Sequence, residues 1–152
     1  MIFIEKIENL SPNILEQLVK SAAAGAMRHQ AGPEDADLTI VLTDDAQLRT
    51  LNRDYLNVDA PTDVLSFSSD QTDPETGSRY LGDILISVDR AAAQAGEAGH
   101  AVEAEVQLLV VHGVLHLLGH DHADPDERAI MWKAQAEILS NLGLGNIEIR
   151  EI

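Results

Sequence analysis

The chain has 152 residues, 45% of them hydrophobic and only 3% aromatic, which is enough for one ordinary domain with a mainly aliphatic core. A formal net charge of −16 at pH 7 argues against indiscriminate binding to nucleic acid or to an anionic membrane, and neither DNA nor a membrane is expected as a partner. We find no run of about 18 apolar residues that would predict a transmembrane helix. The absence of cysteine excludes disulfides and thiolate metal ligands and makes the cytoplasm the default compartment.

Hydrophobic periodicity and turn residues predict alternating strands and helices in the first half of the chain. The Ser11-Pro12 pair is typical of a helix N-terminus, and Thr43-Asp44 is typical of a second one. The predicted elements are a strand at 1–7, a helix at 11–30, a strand at 38–42 and a helix at 43–56. The first helix is expected to bury Ile14, Leu15, Leu18, Ala22 and Met27.

The second half begins with two apolar segments and ends with three helical ones. Strands are predicted at 64–68 and 81–88, separated by a polar loop at 69–78, and helices at 89–96, 101–118 and 124–142. This succession predicts an α+β fold in which residues 1–152 form one domain, with one mixed β-sheet and helices packed on it. The strand order within the sheet is not readable from the pattern.

The most informative segment lies at the end of the strongest predicted helix. It reads His112-Gly-Val-Leu-His116-Leu-Leu-Gly119-His120-Asp121-His122. Residues four apart lie on one helix face, so His112 and His116 can point at one metal ion. Gly119 allows the helix to stop in a left-handed C-cap, after which His122 can return as a third ligand. The sequence therefore predicts a metal site at a helix end.

Three histidines with an open coordination position are typical of a catalytic zinc site rather than a structural one. The spacing matches the H-E-x-x-H-x-x-G-x-x-H pattern of zinc proteases, except that Gly113 replaces the glutamate general base. A cluster of satisfied core histidines is the alternative without a metal. Zinc suits these ligands, although nickel or another divalent metal can bind the same set.

Several further residues are candidates for the site. His120 is interpreted as a rim residue or a neighbour of the ligands, and Asp121 as a carboxylate that orients an imidazole or caps the loop. Asp83 begins an apolar strand and needs a partner, whereas Asp63 fits a turn equally well. Arg49 and Arg53 provide local positive charge on a predicted helix, and His29 and His100 are expected at the surface.

These segments together resemble the YbeY family of bacterial metal-dependent endoribonucleases. The histidine segment is similar to that family's H-G-x-L-H-L-x-G-[YH]-D-H signature. Two more blocks agree in order, one running from Pro61 to Phe67 and one from Leu81 to Ser87, and the segment from Leu51 to Tyr55 also fits. The likeness covers the chain from about residue 38 to the last helix.

The resemblance implies a zinc ion held by His112, His116 and His122. It also implies cleavage of single-stranded RNA, trimming of the small-subunit ribosomal RNA 3′ end, and ribosome quality control. Many members carry a basic residue after the aromatic of the N-x-x-[YF] block, where this chain has Leu56. Arg53, one helical turn earlier, is the candidate replacement.

The expected chemistry is metal-assisted phosphodiester hydrolysis, in which zinc lowers the pKa of a bound water from about 16 to near 7. Asp121 and Asp83 are candidates for the general base, and Arg53 for the group that shares the developing charge. Attack by the ribose 2′-hydroxyl is the other route. Two rival functions remain: a peptidase, and a non-catalytic ribosome-assembly factor with a structural metal that contacts ribosomal proteins.

Overall fold

In the computed structural model, which describes residues 1–33 and 35–149, strands and helices alternate through the first half of the chain and three helices close it. Every predicted element is present, with ends shifted by a few residues. The elements are β1 (Ile2–Lys6), α1 (Glu16–His29), β2 (Ala36–Thr43), α2 (Asp45–Leu56), β3 (Val64–Ser68), β4 (Arg79–Ser87), α3 (Val88–Ala98), α4 (Val102–Leu117) and α5 (Pro125–Asn141).

The four strands form one mixed sheet in the order β1-β2-β4-β3. β1 pairs with β2 and β2 with β4 in parallel, whereas β3 pairs antiparallel with β4 and forms one edge. Parallel neighbours require crossover connections, which α1 and α2 provide, while the loop before β4 suffices for the antiparallel pair. The predicted α+β class with a single mixed sheet is confirmed.

Helix α4 lies at the centre of the main core, where it contacts the sheet as well as α1, α3 and α5. Its residues are buried around nearly the whole circumference, as expected for a helix surrounded by other elements. The opposite face of the sheet is covered by α2, with a small cluster made of Leu48, Leu65 and Leu85. The two sheet faces therefore carry separate groups of side chains.

Helix α1 begins later than the Ser11-Pro12 pair predicts. Its first residue is Glu16, and Ile14 before it is fully buried with its carbonyl accepting a hydrogen bond from Lys6 Nζ at 2.9 Å. This contact holds the preceding segment against β1 in a non-helical conformation. Leu15, predicted to be buried, is 62% exposed as a result.

The predicted helix caps at α2, α4 and α5 are confirmed. Asp44 Oδ1 accepts from Gln47 N at 2.9 Å, and Asp124 Oδ1 accepts from Glu127 N at 2.8 Å. Gly119 follows α4 with a φ of +102°, a backbone conformation that side chains disfavour. Within the part of the chain described, no helix combines the length and apolar character needed to cross a bilayer.

Candidate metal centre

The structure brings His112, His116 and His122 together at the C-terminal end of α4. One ring nitrogen of each lies within 4.8 Å of the others. The ring centroids are 4.6 Å apart for His112 and His116, 5.4 Å for His112 and His122, and 5.2 Å for His116 and His122. Three imidazoles converging on one point from one side can hold a metal ion with a coordination position open to the outside.

Local structure explains this convergence. The helix places two of the histidines one turn apart on the same face. The backbone then turns at Gly119, whose N–H donates to the His116 carbonyl at 3.0 Å, while His120 N–H donates to the Leu115 carbonyl at 2.9 Å. This compact C-cap reverses the chain and returns His122 beside the helical pair.

The outer nitrogens of the two helical histidines are both occupied by acceptors. His112 Nδ1 lies 3.1 Å from Gln135 Oε1, and His116 Nδ1 lies 2.9 Å from the His120 carbonyl oxygen. Because both oxygens accept, both Nδ1 atoms carry the proton, and the two Nε2 atoms are left only 3.0 Å apart. Two lone pairs facing each other at this distance repel unless a cation or a proton lies between them.

A proton is disfavoured at this point. Burial lowers the pKa of His112 to about 3, and the positive charge of a protonated His116 adds to the effect. Burial also lowers the pKa of His116, with His122 as the next contribution. Neutral imidazoles with free Nε2 atoms are the form that binds metal ions, so this donor set fits a divalent cation.

A cleft of about 310 Å³ opens in front of the histidines. Its other wall is the edge strand β3 and the turn before it, together with Leu56 at the end of α2. The block from Pro61 to Phe67 therefore borders the candidate metal centre. The non-histidine lining residues are Leu56, Thr62, Asp63, Val64, Leu65, Ser66 and Ser68.

Trp132 of α5 stands behind the histidines. Its ring centroid is 5.5 Å from that of His122 and 6.3 Å from that of His112, both in edge-on contact. Asp63, whose role the sequence left open, holds the turn before β3 by accepting from Val64 N–H at 2.9 Å. Trp132 therefore packs against two of the three histidines, while Asp63 is bonded within the turn on the other side of the cleft.

The three predicted catalytic residues lie in three different places relative to the histidines. Asp121 adjoins the third ligand, and its Oδ1 accepts from His122 N–H at 2.8 Å. Arg53 is exposed, donates through Nε to Asp54 at 3.1 Å, and lies one helical turn before Leu56 at the rim of the cleft. Asp121 therefore adjoins a candidate ligand, whereas the Arg53 side chain contacts Asp54 and is not among the residues that line the cleft.

Asp83 is not brought to the histidines. It alternates along β4 with Gly82 and Ile84, which face α4, so its side chain lies on the other sheet face. There it accepts a hydrogen bond from Tyr80 Oη, which also lies 2.6 Å from Thr39 Oγ1. Asp83 thus has a partner, as its position requires, but the partner is a tyrosine and not the site.

Gln135 contacts a candidate metal ligand, although no sequence pattern singled it out. It is fully buried on α5 and contacts His112 directly. The available signal was its position within the apolar stripe of that helix, formed by Met131, Ala134, Ile138 and Leu139. A glutamine at such a position needs a partner, and the pattern does not reveal which one.

The remaining histidines also have partners. His29 and His100 were expected at the surface, but their side chains are only 21% and 17% exposed, and they contact Glu137 at 2.7 Å and the buried Glu105 at 3.2 Å. The side chain of His120 points away from the ligands and lies 2.6 Å from Gln30 Oε1. Of the two interpretations of His120, a rim residue or a neighbour of the ligands, the structure agrees with the second.

The family model described as Endoribonuclease YbeY matches residues 3–143. The chain belongs to the YbeY family. The match extends beyond the blocks that carry the resemblance, because it includes β1 and α1. The family's histidine signature therefore lies, in this chain, on the end of α4 and the loop after it.

Individual YbeY relatives agree over most of their length. An endoribonuclease YbeY from Roseiflexus castenholzii is 50% identical over 134 residues, which cover 84% of this chain and 83% of the relative. One from Pelotomaculum thermopropionicum is 44% identical over 133 residues, which cover 86% and 88%. A solution structure of a Thermotoga maritima protein shares the fold, with a TM-score of 0.57 at 23% identity over 99% of this chain and 97% of that one.

Proposed function

We propose that this protein is a zinc-dependent endoribonuclease that cleaves single-stranded RNA in the cytoplasm. Its substrate would be the 3′ end of the small-subunit ribosomal RNA, and the cleavage would serve ribosomal RNA maturation and ribosome quality control. The observation that carries the proposal is the convergence of three histidine nitrogens within 4.8 Å at the mouth of an open cleft. Membership of the endoribonuclease YbeY family supports the hydrolytic activity.

The protein's own groups perform defined tasks in this proposal. His112, His116 and His122 would hold the metal, while Gln135 and the His120 carbonyl keep the helical imidazoles in the tautomer that exposes Nε2. A divalent cation bound there supplies Lewis-acid activation of water and of the phosphoryl oxygens. The edge strand β3 closes the other side of the cleft, so the RNA backbone would run between β3 and the histidines.

Two side chains remain candidates for direct catalytic roles. Asp121 adjoins a ligand and is exposed, so it can accept a proton from the attacking group. Arg53 is exposed near the rim and can approach a phosphate if it exchanges its contact with Asp54. Asp83 is left out because its carboxylate lies across the sheet, bonded to Tyr80.

Zinc is proposed because the donor set consists of neutral imidazoles without thiolates. Histidine nitrogen suits zinc, and the three-histidine set leaves a fourth position open. Nickel or another divalent ion accepts the same donors, so cellular availability contributes to the choice. Metal analysis of the protein purified without added metal measures which ion it carries.

The peptidase alternative is disfavoured by packing as well as by sequence. A Cβ atom at Gly113 would lie 2.8 Å from Ile84 Cγ2, so the position that holds the glutamate in zinc proteases has no room for a side chain. The assembly-factor alternative predicts that the protein does not cleave RNA. In that case, removal of the metal would lower stability without removing any hydrolytic activity.

The test is cleavage of a single-stranded RNA that spans the small-subunit ribosomal RNA 3′ end. Wild type, chelated, metal-restored and His116→Ala proteins are compared, with metal content and circular dichroism measured on each. We expect cleavage to follow the metal and to disappear in the variant. A folded and fully metallated wild type that leaves the RNA intact would overturn the nuclease proposal in favour of the assembly factor. A cyclic phosphate at the product end would assign the nucleophile to the ribose 2′-hydroxyl.

A further inference from the structure

A chain of hydrogen bonds runs from the metal centre to the surfaces of two other helices. His116 Nδ1 bonds the His120 carbonyl, and the His120 side chain bonds Gln30 at the end of α1. Gln30 Nε2 then lies 2.9 Å from His29 Nδ1, and His29 Nε2 lies 2.7 Å from Glu137 Oε2 on α5. We propose that Gln30 and His120 are a positioning pair that sets the ligand loop for metal binding, an inference that rests on the proposed metal-dependent function.

The donors and acceptors of this chain fit a single arrangement. A carboxylate only accepts, so His29 Nε2 carries a proton and its Nδ1 is free to accept from the Gln30 amide. That choice turns the Gln30 oxygen toward His120, whose Nε2–H donates to it at 2.6 Å. The His120 carbonyl then accepts from His116. Each donor in this arrangement faces an acceptor.

The loop needs such an anchor because of how it is built. At Gly119, no side chain of the described residues packs this turn against the rest of the fold, since a Cβ atom there would meet nothing within 4 Å, and the turn's own hydrogen bonds are to the backbone of His116 and Leu115. A shift of the turn would move the His120 carbonyl away from His116 and carry His122 with it. The Gln30–His120 bond fixes the loop on α1, so the His120 carbonyl and the His122 side chain are in place before the metal binds.

The contacts of His29 with Gln30 and Glu137 orient the side chains more than they add to the free energy of unfolding. The His29 and Glu137 side chains are 21% and 49% exposed, and partly exposed pairs of this kind add little to the free energy of unfolding. The expected signature is therefore specific: metal affinity changes while the stability of the metal-free protein hardly does. A purely structural contact would show the reverse.

The experiment measures zinc affinity by competition with a chromophoric chelator, on the full chain and in the absence of RNA. Gln30→Ala is expected to weaken zinc binding about tenfold, the lower end of effects seen when groups behind a metal ligand are removed. Gln30→Glu keeps an oxygen that accepts from His120 and should lose clearly less. The visible spectrum of the cobalt-substituted protein should change in Gln30→Ala, because the ligand geometry is altered.

The matched control is Gln17→Ala, an exposed glutamine on the same helix. Its zinc affinity should equal that of wild type. The double variant Gln30→Ala/His120→Ala should bind no more weakly than the weaker single variant, because both remove the same bond. Wild-type affinity in Gln30→Ala, or an equal loss in Gln30→Glu, would overturn the proposal. Failure of wild type to cleave RNA would overturn the nuclease proposal alone, since these measurements use metal and no RNA.

Discussion

Gly113 of α4 lies directly against Ile84 of β4. A Cβ atom at position 113 would be 2.8 Å from Ile84 Cγ2 and 3.1 Å from two other carbons of the same side chain. Ile84 is fully buried and branched next to its backbone, so it cannot swing aside. Helix and sheet approach each other closely here because position 113 has no side chain.

We predict that Gly113→Ala destabilises the metal-free protein by about 1–3 kcal/mol, the usual cost of overpacking a core. The gain in helix propensity of up to about 1 kcal/mol offsets part of it. Urea unfolding measures the difference. Gly96→Ala on α3 is the matched control, since open space surrounds that glycine, and it should be neutral or stabilising.

A double-mutant cycle identifies the contact responsible. Ile84→Ala removes the carbons that meet the new methyl group, so Gly113→Ala should cost less in the Ile84→Ala background than in wild type. Equal costs in the two backgrounds would show that Ile84 is not the obstacle.

Gln135→Leu should lower zinc affinity by about 10- to 100-fold, as expected when the group behind a metal-bound histidine is lost. The stability of the metal-free protein should change little. The substitution leaves the His112 Nδ1–H without its acceptor, but it also removes Gln135 Nε2, which is buried and has no partner among the described residues. Chelator competition and urea unfolding measure the two effects.

Gln135→Glu serves as the comparison, since a carboxylate still accepts from His112 Nδ1–H. It should retain more zinc affinity than Gln135→Leu. If the two variants bind zinc equally, the hydrogen bond to His112 is not what supports the metal.

The metal-free protein should lose stability as the pH falls below about 6.5, the unperturbed histidine pKa. Burial lowers the pKa of His112 to about 3 in the folded state. Between these values the unfolded chain binds a proton that the folded chain refuses, so the free energy of unfolding decreases toward acid. The stabilisation is fully present above the unfolded pKa, and this histidine contributes a slope of up to about 1.4 kcal/mol per pH unit.

Urea unfolding at pH 7.5 and pH 5 in the presence of a chelator measures this dependence. His112→Gln removes the titrating group, so its stability should fall less over the same interval. Identical losses in the variant and in wild type would assign the acid sensitivity to other groups, the carboxylates first.

Leu56→Arg should strengthen RNA binding, because Leu56 is 53% exposed and lines the cleft of the metal centre. One additional phosphate contact would steepen the dependence of log affinity on log salt by roughly 0.7 for a single strand. Fluorescence anisotropy with a labelled single-stranded RNA at several salt concentrations measures both quantities.

Leu56→Gln controls for polarity without charge and should leave the salt dependence unchanged. An unaltered salt slope in Leu56→Arg would mean that the RNA backbone does not pass this side of the cleft.

Much of the fold followed from local patterns. The strand predicted at 64–68 is observed there, and the strand predicted at 81–88 is observed at Arg79–Ser87. The caps at Asp44 and Asp124 and the stop at Gly119 depend on neighbours within a few residues. The predicted start of α1 at residue 11 was wrong, since the helix begins at Glu16. The Ile14 carbonyl before it accepts from Lys6 Nζ, a contact that competes with an earlier first turn. A cap signal in the sequence does not include such a competitor.

The sequence by itself determined that the three histidines lie close together, since their spacing on a helix and the glycine after it bring them together through local geometry alone. Only the tertiary structure decided which other residues surround them. Gln135, Gln30 and the edge strand reach the site from distant parts of the chain, and Asp83 is excluded because alternate residues of a strand face opposite sides. Packing of helices and sheet sets those distances, and no local pattern encodes them.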